Sequence, residues 1–344
     1  MRSMRARVKG NHTLRAALFL AQNAWYGAPS FVTRRRSTAS GERPRYRLTA
    51  MIRVKDEARF LPEWLAHHVG IGVEHCYIYD NNSGDRIETV MAPFIERGLA
   101  TCVHWPHVPA SPSSHVDFLE RFGDASEWVA FLDADEFLVE SAPGELLRVL
   151  RTRPHWPAVA VSSRYFGSAG HEKIPRGLVT EQFDRASATI SDHVKVVARP
   201  AAVHRYRNSH NFYYRLGRLA RTPDGHRVLG SFVRAPAAPT LVLHHYVCRS
   251  REDYVNKARI GYVDAVGAAA QARRASRTAT EFTKHNDVQA TVPVAARQET
   301  ARLLEQLGYA DELYTSTATS VSGWHQPPAQ AVIAAPARRR RRRP

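Results

Sequence analysis

The sequence predicts an α/β protein in which a mostly parallel sheet is flanked by helices. Four apolar segments, at 48–54, 75–80, 99–105 and 128–133, have the length and residue content of buried strands. The segments between them carry apolar residues at helical spacing. Strands that alternate with helices favour parallel pairing, because each helix returns the chain to the end of the sheet where the previous strand began. The next strand then runs in the same direction.

The helical spacing is clear in the first two connecting segments. In "DEARFLPEWLAHHVGIG" and "RIETVMAPFIERG" the apolar residues recur every three or four positions, and the second segment ends at Gly98. A third, shorter helix is expected in "HVDFLERFG". Trp64 and Trp128 are expected in the core. The apolar stripes consist of Phe60, Leu61, Trp64, Leu65 and Val69 in the first helix and Ile87, Val90, Met91, Phe94 and Ile95 in the second.

The pattern becomes looser after Pro154. We expect strands in "AVAVSSRYF", "HVKVVARP" and "TLVLHHYV", and a helix in "SREDYVNKARIGYVD". The segment 201–238 is rich in aromatic, arginine and histidine residues, and its pattern assigns no element.

The net charge of +17 is concentrated at the two ends of the chain. Residues 1–47 contain 11 Lys and Arg against the single acidic Glu42, and Arg338–Arg343 are all arginine. The remainder is close to neutral, which argues against a specific nucleic-acid partner, because such a protein carries its basic residues on the fold. We therefore expect a basic extension at 1–47, one domain at 48–315 and a disordered Arg-rich tail at 316–344, with the tails in peripheral contact with anionic membrane.

The cysteines and the apolar runs restrict the class of protein further. The three cysteines form no C-x-x-C pair, which excludes a disulfide scaffold and a cysteine zinc site. No run approaches the roughly 18 apolar residues of a membrane span. The expected location is the cytoplasm, including the inner face of the membrane.

Carboxylates follow the predicted strands, where ligands bind in open α/β sheets. Asp133 and Asp135 come directly after a buried strand, and two carboxylates one residue apart suit a shared Mg²⁺ or Mn²⁺ ion. Asp80 ends the second strand, and Arg53 and Glu57 lie at the end of the first. Three strand ends that converge on one crevice would suit a sugar nucleotide.

Five stretches in order resemble glycosyltransferases of the GT-A fold, close to family 2 and especially to the family-92-like group. The match extends over roughly residues 49–290, and five ordered motifs are far more specific than D-x-D alone. The stretches are "RVKDEARFLPEWLAHHVGIGVEHCYIYDNNSGD", "WVAFLDADEFLV", "FGSAGHEKIPRGLVTEQF", "KVVARPAAVHRYRNSH" and "LVLHHYVCRSREDYVNKARIG".

The resemblance implies a Rossmann-like GT-A domain that transfers a sugar, such as a hexose, from a UDP- or GDP-sugar with the help of Mn²⁺ or Mg²⁺. Asp133 and Asp135 would hold the metal and the diphosphate, and His245 would join the metal. The nucleotide pocket would be lined by Arg53, Glu57 and Asp80. The acceptor would be a glycan, a glycolipid or another lipid-linked or cell-surface polymer, and the resemblance favours inversion at the anomeric carbon.

An inverting enzyme needs a base for the acceptor hydroxyl. Glu181, within the matching "GLVTEQF", is the candidate, with Glu172 and Asp184 as alternatives. The role of His171 remains open: it either holds the structure by hydrogen bonds or contacts the acceptor. The role of His210 is open in the same way, between binding the diphosphate and closing a turn.

Three departures from the family pattern are visible. Asp56 replaces the usual Asn, Arg249 stands near the usual Lys, and "SSHVDFLERF" lacks the usual Gln before the D-x-D strand. The last departure touches the donor crevice and leaves the donor open. Two rival hypotheses are a different nucleotide–metal enzyme, such as a nucleotidyltransferase or phosphohydrolase, and a binding module without catalysis.

Overall fold

The computed structural model describes residues 12–27, 43–107, 113–260 and 282–309. The predicted tail at 316–344 and much of the extension at 1–47 lie outside these residues. The helices are α1 His12–Gly27, α2 Leu61–Gly70, α3 Ile87–Glu96, α4 Ser113–Arg121, α5 Glu145–Thr152, α6 Val179–Gln182, α7 Arg251–Ile260 and α8 Val294–Gln306. The strands are β1 Tyr46–Val54, β2 His75–Asp80, β3 Ala100–His104, β4 Ser126–Asp133, β5 Glu136–Glu140, β6 Ala158–Tyr165, β7 Arg185–Ala186, β8 Val194–Ala198, β9 Val203–Asn208, β10 Asn211–Tyr214, β11 Leu241–His245 and β12 Val288–Gln289.

One eight-stranded sheet in the order β3-β2-β1-β4-β8-β6-β11-β5 organises the fold. Strands β1 to β4 are parallel to one another, as predicted, and β6 is parallel to β11. β8 runs antiparallel to both β4 and β6, and β5 antiparallel to β11. The predicted class, α/β with a mostly parallel sheet flanked by helices, is confirmed.

The strand register brings the carboxyl ends of three strands to one level. Arg53 of β1 lies opposite Asp133 of β4 and Tyr79 of β2, while Val54 lies opposite Asp80. The buried hydroxyls of Thr49 and Ser126 are 2.9 Å apart and link β1 to β4 deeper in the sheet. The sheet therefore aligns the polar residues that the sequence placed at the strand ends.

Apolar side chains cover both faces of the sheet, since alternate residues of a strand point to opposite faces. Along β1, Ala50 and Ile52 belong to the core cluster that contains α2, and Met51 belongs to the cluster that contains α4. Trp64 and Trp128 are buried, as expected. Burial on both faces explains why these strands are apolar without alternation.

α2 connects the core to the turn that follows β4. Its Trp64 Nε1 donates to the Glu136 backbone oxygen at 2.8 Å, and His67 Nε2 lies 2.8 Å from the Leu138 oxygen. The carboxylate of Glu63 accepts the backbone N–H groups of Val179 and Thr180, at 2.6 and 3.0 Å, and the Thr180 hydroxyl. α2 therefore fixes both the acidic turn and α6.

Replacing Glu63 with alanine is expected to lower the free energy of unfolding by about 3 kcal/mol at pH 5, since three buried donors lose their acceptor. Burial raises the pKa of Glu63 to about 7. The protonated carboxyl therefore stabilises the fold below its unfolded pKa, and this contribution is lost as the pH rises toward 7. Urea unfolding should show a smaller penalty for Glu63→Ala at pH 8 than at pH 5.

Glu181→Ala is the matched control, because Glu181 lies two residues beyond Val179 but is exposed. Its ion pair with Arg297, at 3.5 Å, is of a kind that contributes little. Equal unfolding penalties for the two variants would contradict the role assigned to Glu63.

α1 packs on the hairpin formed by β9 and β10. Asn23 Nδ2 donates to the Gly217 oxygen at 2.7 Å, and Tyr213 Oη donates to the Gln22 side-chain oxygen at 3.0 Å. Part of the predicted extension at 1–47 is therefore ordered against the domain. Within the described residues, no helix combines the length and apolarity needed to cross a bilayer.

Candidate active site

The turn between β4 and β5 presents three carboxylates within four residues. β4 ends at Asp133 and β5 begins at Glu136. Glu136 is buried, and its Oε2 accepts the Asp133 backbone N–H at 2.9 Å, which fixes the turn from inside. Glu136 therefore orients the turn through this contact.

Lys195 on β8 neutralises the first part of this turn. Its Nζ is 2.6 Å from Asp133 Oδ2 and 3.2 Å from Glu136 Oε2, and its side chain is only 2% exposed. Burial would raise the pKa of Asp133, but the ammonium of Lys195 overcomes it and holds this pKa at about 2. Burial dominates at Glu136 and raises its pKa to about 6 despite the same lysine.

Lys257 on α7 neutralises the second part of the turn. Its Nζ is 3.0 Å from Asp135 Oδ2 and 3.4 Å from Glu57 Oε1. Burial of Asp135 opposes ionisation, yet Lys257 and His245 hold its pKa well below the usual range. Asp135 is therefore an ionised carboxylate at neutral pH.

A buried arginine extends the network away from the turn. Arg249 Nη2 is 2.7 Å from Glu57 Oε2, and its Nε donates to Asp253 at 3.0 Å. Its guanidinium lies 3.4 Å from the centre of the Phe60 ring. Glu57 is thus held between Arg249 and Lys257, and positions both cations.

His245 reaches the acidic turn from β11, where it pairs in register with Glu136. Its Nε2 is 3.4 Å from Asp135 Oδ1, and its Nδ1 is 3.6 Å from Glu136 Oε1. Burial would lower the pKa of His245, but the carboxylate of Asp135 outweighs this and raises it. The neighbouring His244 is buried and its ring packs against that of Phe166, which indicates a structural role.

Arg53 and Asp80 lie at the same edge of the sheet. The charge of Arg53 also lowers the pKa of Asp133. Asp80 Oδ1 accepts both the backbone N–H and the hydroxyl of Ser83, and so closes the turn that follows β2. The strand register thus places Arg53 beside Asp133, while the carboxylate of Asp80 accepts hydrogen bonds within the turn that follows β2.

The donor set suits a divalent cation in its chemistry. Asp133 and Asp135 supply oxygen and His245 supplies an imidazole nitrogen, and the side chain of Asp133 is 39% exposed. In the described part of the chain, however, no three His, Cys, Asp or Glu residues are arranged as a metal site. Each aspartate instead faces its own lysine.

Residues 51–218 match the family described as Glycosyltransferase family 92. This stretch is just under half of the chain, and over it the chain is similar to that family. The sheet is that of a GT-A domain, as the sequence predicted.

Curated relatives carry the same family description. A family 92 protein of Oryza sativa subsp. japonica is 34% identical over 156 residues, which are 44% of this chain and 26% of the relative. A family 92 protein of Ricinus communis is 29% identical over 213 residues, 60% of this chain and 36% of that protein. The chain therefore spans well under half the length of either relative.

Among solved structures, this chain is similar to S. aureus TarS 1–349 in complex with UDP-GlcNAc. The two chains are 11% identical with a TM-score of 0.37, and the match covers 76% of this chain and 80% of TarS 1–349. Similarity at this level does not establish a shared function.

Glu181 is separate from the acidic turn of the family 92 domain. It is exposed on α6, and among the described residues it forms an ion pair with Arg297. Of the alternative bases, Glu172 pairs with Arg251 at 2.6 Å and Asp184 accepts from Gln289 at 2.9 Å. Glu181 as the base stays a prediction.

The two histidines left open are both held within the protein. His171 Nε2 lies 3.1 Å from the Gln182 oxygen, and its ring packs edge-on against Phe183. His210 Nδ1 lies 3.2 Å from the Val194 oxygen, and its ring stands 3.9 Å from that of His193. These contacts favour structural roles for both.

Lys195 and Lys257 were not predicted as site residues, and Arg249 was noted only as a departure from the family pattern. Lys195, Lys257 and Arg249 all lie in stretches that carry the family resemblance, yet a single lysine on a strand or helix usually indicates an exposed position. The available signal was Lys195 itself, because it interrupts an otherwise apolar strand of the sheet.

Proposed function

We propose that this chain is a metal-dependent, inverting glycosyltransferase that moves a sugar from a UDP- or GDP-sugar to a carbohydrate or lipid-linked acceptor. The observation that carries the proposal is the convergence of Asp133, Asp135 and His245 with Lys195 and Lys257 at the carboxyl edge of a family 92 domain. Membrane contact through the basic tails remains part of the proposal.

The proposed donor site separates two tasks. Arg53, Glu57 and Asp80 line the nucleotide end, where Arg53 offers charge and Glu57 holds Lys257 in place. Asp133, Asp135 and His245 would hold the divalent cation, which supplies positive charge to the departing diphosphate. Lys257, whose side chain is partly exposed, can turn from the carboxylates to phosphate oxygens, while the buried Lys195 holds Asp133 in place.

The proposed reaction is a direct displacement. The acceptor oxygen forms a bond to the anomeric carbon while the bond from that carbon to the diphosphate oxygen breaks, and configuration inverts. The acceptor proton passes to a carboxylate base, for which Glu181 is the candidate. The nucleoside diphosphate leaves with the electron pair of the broken bond.

A panel of nucleotide sugars, incubated with Mn²⁺ and a mixture of glycan and lipid-linked acceptors, tests the proposal. We expect release of nucleoside diphosphate with one donor, and loss of that release with Asp133→Ala or Asp135→Ala. Release of a nucleoside monophosphate or pyrophosphate would instead indicate the rival nucleotide–metal enzyme. Binding of none of these donors would contradict the proposed function.

Glu181→Gln tests the base separately. If Glu181 accepts the proton, kcat should fall by about 10²- to 10⁴-fold while the KM for the donor changes little. Glu299→Gln is the matched control, because Glu299 is a glutamate of similar exposure on α8 that pairs with Arg302 as Glu181 pairs with Arg297. Unchanged kcat in Glu181→Gln would exclude Glu181 as the base without affecting the proposed donor site.

A further inference from the structure

α1 has one face buried against the domain. Phe19, Asn23 and Tyr26 follow helical spacing and contact the β9–β10 hairpin and the turn after it. The ring of Phe19 stacks on that of Tyr213 with centroids 6.0 Å apart, and the ring of Tyr26 lies 5.0 Å from it. The hairpin therefore fixes which face of α1 points outward.

The outward face of α1 is apolar and exposed. Large side chains stand at its two edges: Trp25 is 76% exposed and Leu20 is 46% exposed. Small residues, Ala17, Ala21 and Ala24, occupy the surface between them. Leu216 continues the apolar surface from the turn beneath α1 and is 57% exposed. Soluble surfaces rarely show a helix face of this kind unless it contacts a partner.

Cations lie along the side of α1 that meets the hairpin, and they have no acidic neighbours in the sequence. Residues 193–223 contain seven Lys and Arg and no Asp or Glu, and α1 itself contains no acidic residue. Arg205 lies with its guanidinium 5.0 Å from the Tyr26 ring, and Arg207 lies at the same distance from the Phe19 ring. Arg205 and Arg218 are both exposed beside α1.

We propose that the outward face of α1, with Leu216 and the arginines of the hairpin, is a docking surface for an anionic lipid bilayer. An interfacial helix inserts tryptophan and leucine at the depth of the headgroups while adjacent arginines pair with lipid phosphates. The surface is independent of the reaction proposed above. It rests on the proposed membrane contact of the basic tails and deepens it, because α1 lies in the extension at 1–47 and inserts apolar side chains.

The positive charge beside α1 favours a bilayer over a second copy of this chain as the partner of this surface. A two-fold contact through α1 would bring the same arginines of both copies toward each other. Apolar insertion beside cations that have no acidic neighbours in the sequence needs an occupant that is negative and apolar at once, and an anionic lipid surface is both.

Co-sedimentation of the full chain with vesicles tests the surface. Vesicles would contain phosphatidylcholine alone or phosphatidylcholine with phosphatidylglycerol. To separate α1 from the C-terminal arginines, both arms use a background in which Arg338–Arg343 are glutamine. In that background Leu20→Ser/Trp25→Ser should lower partitioning into the anionic vesicles about tenfold.

Val294→Ser is the matched control, because Val294 is a similarly exposed apolar residue at the start of α8, and its partitioning should equal that of the parent. Circular dichroism and thermal unfolding of the α1 variant should match the parent, since the replaced side chains are exposed. Undiminished partitioning of the α1 variant would overturn the proposal. So would concentration-dependent dimerisation that the same substitutions abolish without vesicle binding.

Discussion

Replacing Asp135 with asparagine is expected to lower kcat/KM for sugar transfer by about 10²- to 10³-fold, the size of losing one preorganised electrostatic partner at a reacting centre. Asp135 contacts both Lys257 and His245, and no other residue of the turn contacts both. Asparagine keeps the size of the side chain but removes the negative charge. The rate of nucleoside diphosphate release, measured over a range of donor concentrations, gives kcat and KM separately.

Asp117→Asn is the matched control for this prediction. Asp117 on α4 is also a carboxylate with two polar partners, Tyr79 and Arg121, but neither partner belongs to the acidic turn. Calorimetric binding of the nucleoside diphosphate with Mn²⁺ provides a second readout. If Asp135→Asn retained the activity and the metal-dependent binding of the parent, Asp135 would have no part in the donor site.

Much of the fold follows from the sequence because its strands are buried on both faces. β1, β2, β3 and β4 were each visible as apolar runs, and the helices between them as periodic stripes. β5 was missed, because its residues continue directly from the acidic turn and read as flanking sequence. The reversed direction of β8 was not predicted either, since an apolar run carries no information about the direction of pairing.

The site was predictable only in part, for a different physical reason. Asp133 and Asp135 are recognisable as site residues because carboxylates rarely follow a buried apolar strand unless they bind a cation or a ligand. Lys195 and Lys257 are separated from them by 62 and 122 residues, so their role depends on how the sheet and α7 fold back. A local sequence pattern shows the type of a residue, but it does not show which distant residue that side chain contacts in the fold.

The charge balance connects the acidic turn to stability as well as to catalysis. Lys195 is the cation shared by Asp133 and Glu136, and both Lys195 and Glu136 are almost inaccessible to solvent. Replacing Lys195 with methionine is therefore expected to lower the free energy of unfolding by about 3–5 kcal/mol, because it leaves buried carboxylate charge without its partner. Urea unfolding at neutral pH measures this loss, and Lys173→Met, at an exposed position, should stay within about 0.5 kcal/mol of the parent.

A double-mutant cycle shows whether the loss comes from the unpaired charge. Glu136→Gln in the Lys195→Met background removes the buried carboxylate but keeps an oxygen that can accept the Asp133 backbone N–H. The double variant should therefore be more stable than Lys195→Met alone by about 1–3 kcal/mol. If the effects of the two substitutions on the free energy of unfolding were simply additive, the loss in Lys195→Met would reflect packing of its methylene groups. Neutralising Glu136 removes the cost of an unpaired buried charge, but it does not repair a packing defect.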